Sequence, residues 1–455
     1  MRVLARDIGR CKETGEVEVS GWVHRIRELG GITFVILRDR SGLLQLVLSG
    51  EESSGEEAGA ENSPGAAGSA LTPESVITAR GLPAKNEKAV GGVELRVRSL
   101  EIISKAAGDL PFRVNGDISK VGLEAILDNR ALSLRNPRIR GIFKVQATII
   151  EAFSAYLRER DFTEIKTSKL VGGGTEGGAE LFEVEYFDKK VCLAQSPQIY
   201  KQIMVASGLE RVFEVAPAYR AEKHDTPRHL NEYVSLDVEM GFIESEKDLI
   251  ELEKGLLSHI FAEVARKNAP ELDLWQAAVP EAAAVQKAPV IPYEEALKLA
   301  NAEAAKNRNS PRLFDINPEA ERLLCGWAGR ERGVELVFVN EFPRRYRPFY
   351  TYPRRAGPED SGEGAASTMS FDALFRGLEI TTGGRRQHDY QALLAALPKF
   401  GLTQGDIAGY EVFKYGCPPH GGFAIGCERL TQKILGLANV KEASLFPRDR
   451  RRVTP

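Results

Sequence analysis

The stretch Gly421–Leu430, GGFAIGCERL, decides the reading of this chain. It reads as a glycine turn, a short apolar strand, and then Glu428 and Arg429 opening a helix. Glycine alone lets a backbone pack tightly against a flat ligand. An arginine fixed at a strand-to-helix junction presents a permanently charged fork suited to phosphate. By itself the stretch is equally a packing turn with a surface arginine. A second element far upstream removes that reading: Phe213–Met240, FEVAPAYRAEKHDTPRHLNEYVSLDVEM. There Arg220 and Glu222 end one strand, a polar loop follows, and Tyr233 and Asp237 lie on a returning strand.

Around these two elements, strand-like runs at Val191–Ala194, Val212–Val215, Val234–Met240, Glu335–Val339 and Phe423–Ile425 alternate irregularly with helices. Apolar residues at Ile142, Val145, Ile149, Phe153, Tyr156 and Leu157 mark Ile142–Arg160 as an amphipathic helix with one buried face. Neither βαβ regularity nor a GxGxxG or GKS/T loop is present, which argues against a Rossmann or P-loop nucleotide site. A largely antiparallel sheet with helices packed around it is the better class.

The amino-terminal part is different. Val17–Val23, Ile32–Arg38, Leu43–Leu48, Val76–Arg80 and Val93–Ile103 give five strand-like runs, with turns at Gly30–Gly31 and Ser41–Gly42. Five short strands suit a small Greek-key barrel of the OB type, a common binder of single-stranded nucleic acid. An SH3-like barrel or a sandwich fits the periodicity nearly as well. Glu51–Pro73 is rich in Gly, Ala, Ser and Glu and free of aromatics, so it is expected to be a flexible loop between the third and fourth strands. Ala356–Ser367 reads as a second surface loop of the same kind. The expected organisation is a barrel over residues 1–107, a hinge over 108–137 and an α+β domain over 138–455.

With 455 residues, the chain is long enough for two or three domains and a large core. Its net charge of −3 advertises no global affinity for nucleic acid. RNA contact would have to come from local patches, and Arg448, Arg450, Arg451 and Arg452 form one unless they are a solvated tail. The five cysteines (Cys11, Cys192, Cys325, Cys417 and Cys427) contain no CxxC pair, so neither a disulfide framework nor a zinc site is expected. MRVLARDIGR lacks the apolar core of a signal peptide, and no apolar run is long enough to span a membrane. A cytoplasmic protein without membrane partners is expected.

The two defining elements resemble motifs 2 and 3 of the class II aminoacyl-tRNA synthetases, and the likeness extends over nearly the whole chain. The resemblance implies an α+β fold class, an N-terminal OB-type anticodon barrel followed by a catalytic domain whose antiparallel sheet is flanked by helices. Such enzymes let an amino acid carboxylate attack the α-phosphate of ATP. That nucleophile is already ionised at neutral pH, so catalysis rests on positioning and charge neutralisation. By resemblance Arg220 holds the α-phosphate and Arg429 the γ-phosphate, the two catalytic roles. Glu222 accepts from the adenine amino group, and His229 begins the returning half of the motif. Tyr233 lies under the adenine ring, where the family usually places phenylalanine. Its hydroxyl needs a partner. Glu379 and Thr382, in RGLEITTGG, match the family's Mg²⁺ ligands, and oxygen ligands beside phosphates are what Mg²⁺ favours.

Further segments resemble the aspartyl/asparaginyl branch of the family. GGGTEGGAELF places Glu176 where relatives bind the substrate's amino group, AQSPQIYKQ supplies Gln198 and Lys201, and RGLEITTGGRRQH supplies Arg386. Lys201 with Arg386 implies a cationic clamp for a side-chain carboxylate, favouring L-aspartate over asparagine. FPRDRRRVTP, with Asp449, and RPFYTYP, Arg347–Pro353, point the same way. The length suits the archaeal and eukaryotic-cytosolic form, without the extra inserted domain of the longer bacterial enzymes. Motif 1 should run from the Ile142–Arg160 helix to a proline, where this chain has Ser168. A homodimer is still implied.

In the barrel, Phe34 matches an aromatic that stacks on an anticodon base, and Gln45 matches the reader of the central uracil. His24, by the resemblance a third anticodon-binding residue, stands where relaxed relatives, which charge tRNA-Asn as well as tRNA-Asp, often carry histidine. The expectation is thus an ATP- and Mg²⁺-dependent aspartate-activating ligase with tRNA-Asp, and tRNA-Asn too, as acceptors. An asparaginyl enzyme is the nearest rival. A synthetase-derived amide-forming enzyme would usually lack the barrel, and a non-catalytic RNA-binding relative would be expected to lose Arg220, Arg429 or Glu379.

Overall fold

The structure, a computed structural model, describes residues 2–49, 70–174, 181–306, 311–354 and 367–454. It divides into two units, Met1–Asn136 and Pro137–Pro455. In the first, β1 (Val17–Leu29), β2 (Ile32–Arg38), β3 (Leu43–Ser49), β4 (Val76–Lys85) and β5 (Val93–Ser104) close into a barrel in the order β1-β2-β3-β5-β4. Alternation along the strands turns Val19, Val23, Val35, Leu37, Leu46, Ile77 and Leu95 inward. A bulge between Val23 and Arg25 breaks the register of β1, which then runs on beyond the sequence-derived strand to Leu29. Glycine is required at Gly81, where a Cβ would collide with the carbonyl of Arg96. The segment read as a hinge carries two short helices, Leu123–Asp128 and Arg130–Ser133, and Asn136 Nδ2 donates to the carbonyl of Val114 at 2.8 Å within the same unit. Most of the Glu51–Pro73 loop, and nearly all of Ala356–Ser367, lie outside the described residues.

The second unit is built on an eight-stranded sheet in the order β12-β13-β14-β15-β16-β11-β10-β6. These strands are β6 (Thr163–Glu164), β10 (Arg211–Tyr219), β11 (Glu232–Gly241), β12 (Val290–Pro292), β13 (Leu336–Asn340), β14 (Ser370–Phe375), β15 (Leu378–Arg385) and β16 (His420–Gly426). Pairing is antiparallel from β13 through to β10, and only the two end pairs are parallel. A small second sheet holds β7 (Leu170–Val171), β8 (Glu183–Tyr186) and β9 (Lys189–Leu193). The helix Pro137–Arg158 packs against the helix Glu246–Lys267 and buries Ile142, Val145, Ile149, Phe153 and Leu157, the stripe its spacing predicts. A capping box between Ser245 and Asp248 starts the second of these helices.

Three local readings change. The sequence pattern shows no strand over β14, because all six of its residues are buried and alternation disappears when both faces are covered. Nor does it show β15, which carries Gly383 and Gly384 inside the strand. Gly421 and Gly422 are not a turn: they lie within β16, and a Cβ on Gly422 would meet the Val238 carbonyl and the Glu239 carboxylate. The glycines therefore make room for a neighbouring strand and a buried acid, rather than for a flat ligand.

Candidate active site

Tyr233, Ser235, Asp237 and Glu239 alternate along β11 and so share one face. Where Tyr233 and Ser235 lie, a cavity of about 130 Å³ opens between β11, β15 and β16. It is lined by all seven residues predicted for nucleotide and metal: Arg220, Glu222, His229, Tyr233, Glu379, Thr382 and Arg429. They come from positions far apart in the chain, and sheet pairing brings them together.

Arg220 and Glu222 do not end β10, which stops at Tyr219, but open the loop that follows. The loop is pinned at its base by Arg220 N, which donates to the Asn231 carbonyl at 2.9 Å. The Arg220 guanidinium lies 5.6 Å from the centre of the Tyr233 ring. His229 Nδ1 is 2.6 Å from Thr226 Oγ1, a contact that fixes the imidazole within the loop. Arg228, absent from the sequence-derived set, also lines the cavity and is ion-paired with Glu321 on the helix Pro318–Arg332.

The Glu428–Arg429 pair divides its work. Both oxygens of Glu428 accept from Val234 N at 3.1 Å, tying the helix Cys427–Leu435 to β11. Burial pushes its carboxyl up to about 7, against those hydrogen bonds. Arg429 instead turns to the cavity, donating from Nη1 to the Glu379 carbonyl at 3.0 Å and lying 3.4 Å from Glu379 Oε1.

Thr382 Oγ1 donates to Glu379 Oε1 at 3.2 Å. Directly across the strand pair from Thr382 sits Asp372, which the sequence reading missed. Burial, with the nearby Glu379 carboxylate adding to it and Arg347 opposing, pushes Asp372 up to about 7. Arg347, from the RPFYTYP segment, lies 2.8 Å from it. Among the described residues no group of three or more His, Cys, Asp or Glu could hold a metal ion. A pair of carboxylates with a hydroxyl, all hard oxygens beside a cavity lined by arginines, nonetheless fits Mg²⁺, which takes one or two carboxylates and completes its shell with phosphates and water. An acid in an otherwise apolar strand, SFDALF, is the signal that could have found Asp372.

Further along the same face of β11 is a buried polar cluster. Lys201 Nζ lies 2.9 Å from Asp237 Oδ1 and 3.4 Å from Glu239 Oε2. Arg386 reaches the same Glu239 from the other side, Nε to Oε1 at 3.1 Å, and donates to the Gly422 carbonyl at 2.9 Å. Gln198 Oε1 accepts from Arg386 Nη2 at 3.5 Å. Burial would raise the Glu239 pKa, but Arg386 and Lys201 outweigh it and hold the carboxyl below its usual range. Gln198, Lys201 and Arg386 are thus brought together as expected. The two balancing acids were not assigned a role, although two carboxylates at alternate positions of an apolar strand, LDVEM, carry that signal. Glu176 lies outside the described residues.

The carboxy-terminal arginines are not a free tail. Arg448 accepts through its carbonyl from Asn231 N at 2.8 Å, and Arg448 and Arg450 line a second cavity of about 660 Å³ with Tyr219, Glu222 and Lys223. Lys441 ties Asp449, at 2.6 Å, to Asp225 of the preceding loop, at 2.8 Å.

In the barrel, Phe34 pairs with Arg27 and Val47, and Ile36 with Gln45, which sets Phe34 and Gln45 on the outer face of neighbouring strands. Arg25, Arg27 and Arg96 are exposed around them, an aromatic framed by cations. Gln45 Nε2 donates to Glu94 Oε2 at 2.9 Å. His24 is the extra residue of the β1 bulge, and its Nδ1 lies 3.0 Å from Arg38 Nη1. Arg38 is buried and bidentate to Glu74, at 2.6 and 3.1 Å. Burial and Arg38 both lower the His24 pKa, so the ring is held neutral beside that pair.

Fold and cavity together define a class II tRNA synthetase, and the chain belongs to that family. The family described as "tRNA synthetases class II (D, K and N)" matches residues 122–450, and the OB-fold nucleic acid binding domain matches residues 17–103. The chain is 45% identical to the aspartate–tRNA(Asp/Asn) ligase of Thermus thermophilus, with 100% of each chain covered. Identity to the aspartate–tRNA(Asp) ligase of Pyrococcus horikoshii is 38%, covering 96% of each. Among solved structures it resembles an asparaginyl-tRNA synthetase from Pyrococcus horikoshii complexed with asparaginyl-adenylate, with a TM-score of 0.85 at 29% identity, covering 97% of this chain and 96% of that one.

Proposed function

We propose that the protein activates L-aspartate with ATP to aspartyl-adenylate, releasing pyrophosphate, and transfers the aspartyl group to the 3′ end of tRNA-Asp and tRNA-Asn. The carrying observation is the convergence of Lys201 and Arg386 on Glu239 along the strand face that leads into the arginine-lined cavity. Lysine and arginine are donors only, so an incoming side-chain carboxylate meets complementary groups, whereas the amide NH₂ of asparagine would set a donor against donors. In this reading Arg220 neutralises the α-phosphate while the substrate carboxylate attacks it in line, and Arg429 holds the γ-phosphate so that pyrophosphate leaves. Glu222 accepts from the adenine amino group, Tyr233 stacks under the ring, and His229 keeps the loop in place. Glu379, Thr382 and Asp372 would hold Mg²⁺, which when bound screens the charge of the phosphates. No side chain has to remove a proton in the first step.

The acceptor range is supported by the higher identity to the relative named for both tRNAs than to the one named for tRNA-Asp alone. The remaining partner in this reading is a second copy of the chain, and the compartment is the cytoplasm. Among the described residues no helix is long and apolar enough to cross a membrane. The deciding experiment is charging of tRNA-Asp and tRNA-Asn transcripts with labelled aspartate and, separately, asparagine. Aspartate on both is the expected result, aspartate on tRNA-Asp alone removes the relaxed range, and asparagine on either overturns the reading of Lys201 and Arg386.

The barrel gives a separate expectation. Phe34→Ala should raise KM for tRNA by about tenfold, the loss of one base stacked on an aromatic, while aspartate-dependent pyrophosphate exchange stays unchanged. Filter-binding titration of tRNA and exchange kinetics on the same preparation check both halves.

A further inference from the structure

Behind Arg386 runs a row of buried side chains whose hydrogen bonds allow only one direction. The Pro418 carbonyl can only accept, and it lies 2.9 Å from His420 Nδ1, so Nδ1 carries the proton. Cys417 Sγ, 3.5 Å from the same nitrogen, is a weaker second neighbour. Burial lowers the His420 pKa to about 4, so the ring is neutral and its Nε2 is an acceptor. Gln202 Nε2, 2.9 Å from that nitrogen, must donate to it. The Gln202 carbonyl then faces the opposite way, accepting from Tyr410 OH at 2.7 Å and from Gln198 Nε2 at 2.8 Å. This leaves the Gln198 carbonyl directed at Arg386 Nη2, which can only donate.

We propose that His420, Gln202 and Tyr410 are positioning residues for amino acid recognition, fixing the amide of Gln198 and through it the direction in which Arg386 meets the substrate's side chain. The inference rests on the reading of Arg386 as a ligand of the aspartate carboxylate. Glu239 spans Nε and Nη2 of the guanidinium, and the Gln198 carbonyl shares Nη2 with the Gly422 carbonyl, so the orientation of the Gln198 amide decides whether that nitrogen meets an acceptor or a donor. If the acceptor at His420 is removed, the Gln202 amide is released. Gln198 is then free to turn over, and its NH₂ opposes the guanidinium. None of the three positioning residues lines the nucleotide cavity.

The test uses the full chain in pyrophosphate exchange, with KM measured for aspartate and for ATP separately. His420→Leu and Gln202→Met are expected to raise KM for aspartate about tenfold or more, the effect of an unsatisfied buried donor or a released amide, with KM for ATP unchanged. The preference for aspartate over asparagine should narrow in the same variants. His420→Gln, whose carbonyl can accept at the position of Nε2, is expected to bring the aspartate KM back toward the parent value. Equal rises for aspartate and ATP, or no recovery in His420→Gln, would show mere packing and overturn the inference. Tyr410→Phe keeps the ring and removes one donor, so it decides the matter if the other variants do not fold. A rise of about threefold in KM for aspartate alone is expected there, and an unchanged KM overturns the inference. Arg386→Lys separates the two levels: if it leaves KM for aspartate unaltered, the reading of the site itself fails, whatever the row behind it does.

Discussion

Arg429→Ala is expected to lower aspartate-dependent pyrophosphate exchange by about 10²–10³-fold while leaving thermal unfolding nearly unchanged. The side chain stands on the first turn of the helix Cys427–Leu435 and is about a quarter exposed, so its removal opens no core cavity. Its side chain is bonded to Glu379, through the carbonyl at 3.0 Å and the carboxylate at 3.4 Å. What is lost is a positioned cation in a cavity where negative charge has to be balanced as pyrophosphate departs. Lysine at this position should recover little, because a point charge does not reproduce a planar fork. Exchange kinetics with unfolding followed in parallel give the answer, and near-native exchange would remove Arg429 from the phosphate role.

Lys201→Met carries the second large effect, on both stability and activity. Lys201 is 2% exposed, and Asp237 and Glu239, its two carboxylate neighbours, are as deeply buried. Removing the ammonium leaves Asp237 without its cation, and breaking a buried pair from one side costs about 3–5 kcal/mol. Denaturant unfolding should show that loss, and Lys201→Met combined with Asp237→Asn should regain much of it, because the uncompensated charge is gone. Activity should not return in the double variant. Aspartate kcat/KM is expected to stay about 10²–10³-fold down, since the donor proposed to meet the substrate carboxylate is absent in both. Recovery of exchange together with stability would mean that Lys201 is a structural ion only.

The two effects differ because the two cations differ in what surrounds them. Arg429 borders an open cavity and is cheap to lose for the fold. Lys201 sits inside a neutral set of four charges, with Arg386 and the two acids, so a cation proposed for recognition is also part of the core.

Several features were legible because they are local. The barrel strands announce themselves by period two, with one face in the core and the other in solvent, and the helix Pro137–Arg158 announces itself by its apolar stripe. Resemblance then carried Arg220, Glu222, His229, Tyr233, Glu379, Thr382 and Arg429, and all of them line one cavity. Strand β14 was not legible: buried on both faces, it shows no alternation, and with it Asp372 was lost. His24 was placed at the anticodon end by resemblance, but the bulge that sets its ring beside the buried Arg38–Glu74 pair was not legible in the sequence.

By itself, the sequence determined the secondary elements with one wet face, the order of the two units, and the residue types able to neutralise phosphate and hold a carboxylate. Only the tertiary structure decided the partners: that Asp237 and Glu239 balance Lys201 and Arg386, that Asp372 stands across from Thr382, and that His420 dictates the direction of two glutamine amides. Periodicity records which side of an element meets water, and that is written along the chain. The pairing of charges and the direction of a buried amide depend on which strands become neighbours, and those neighbours are far apart in sequence.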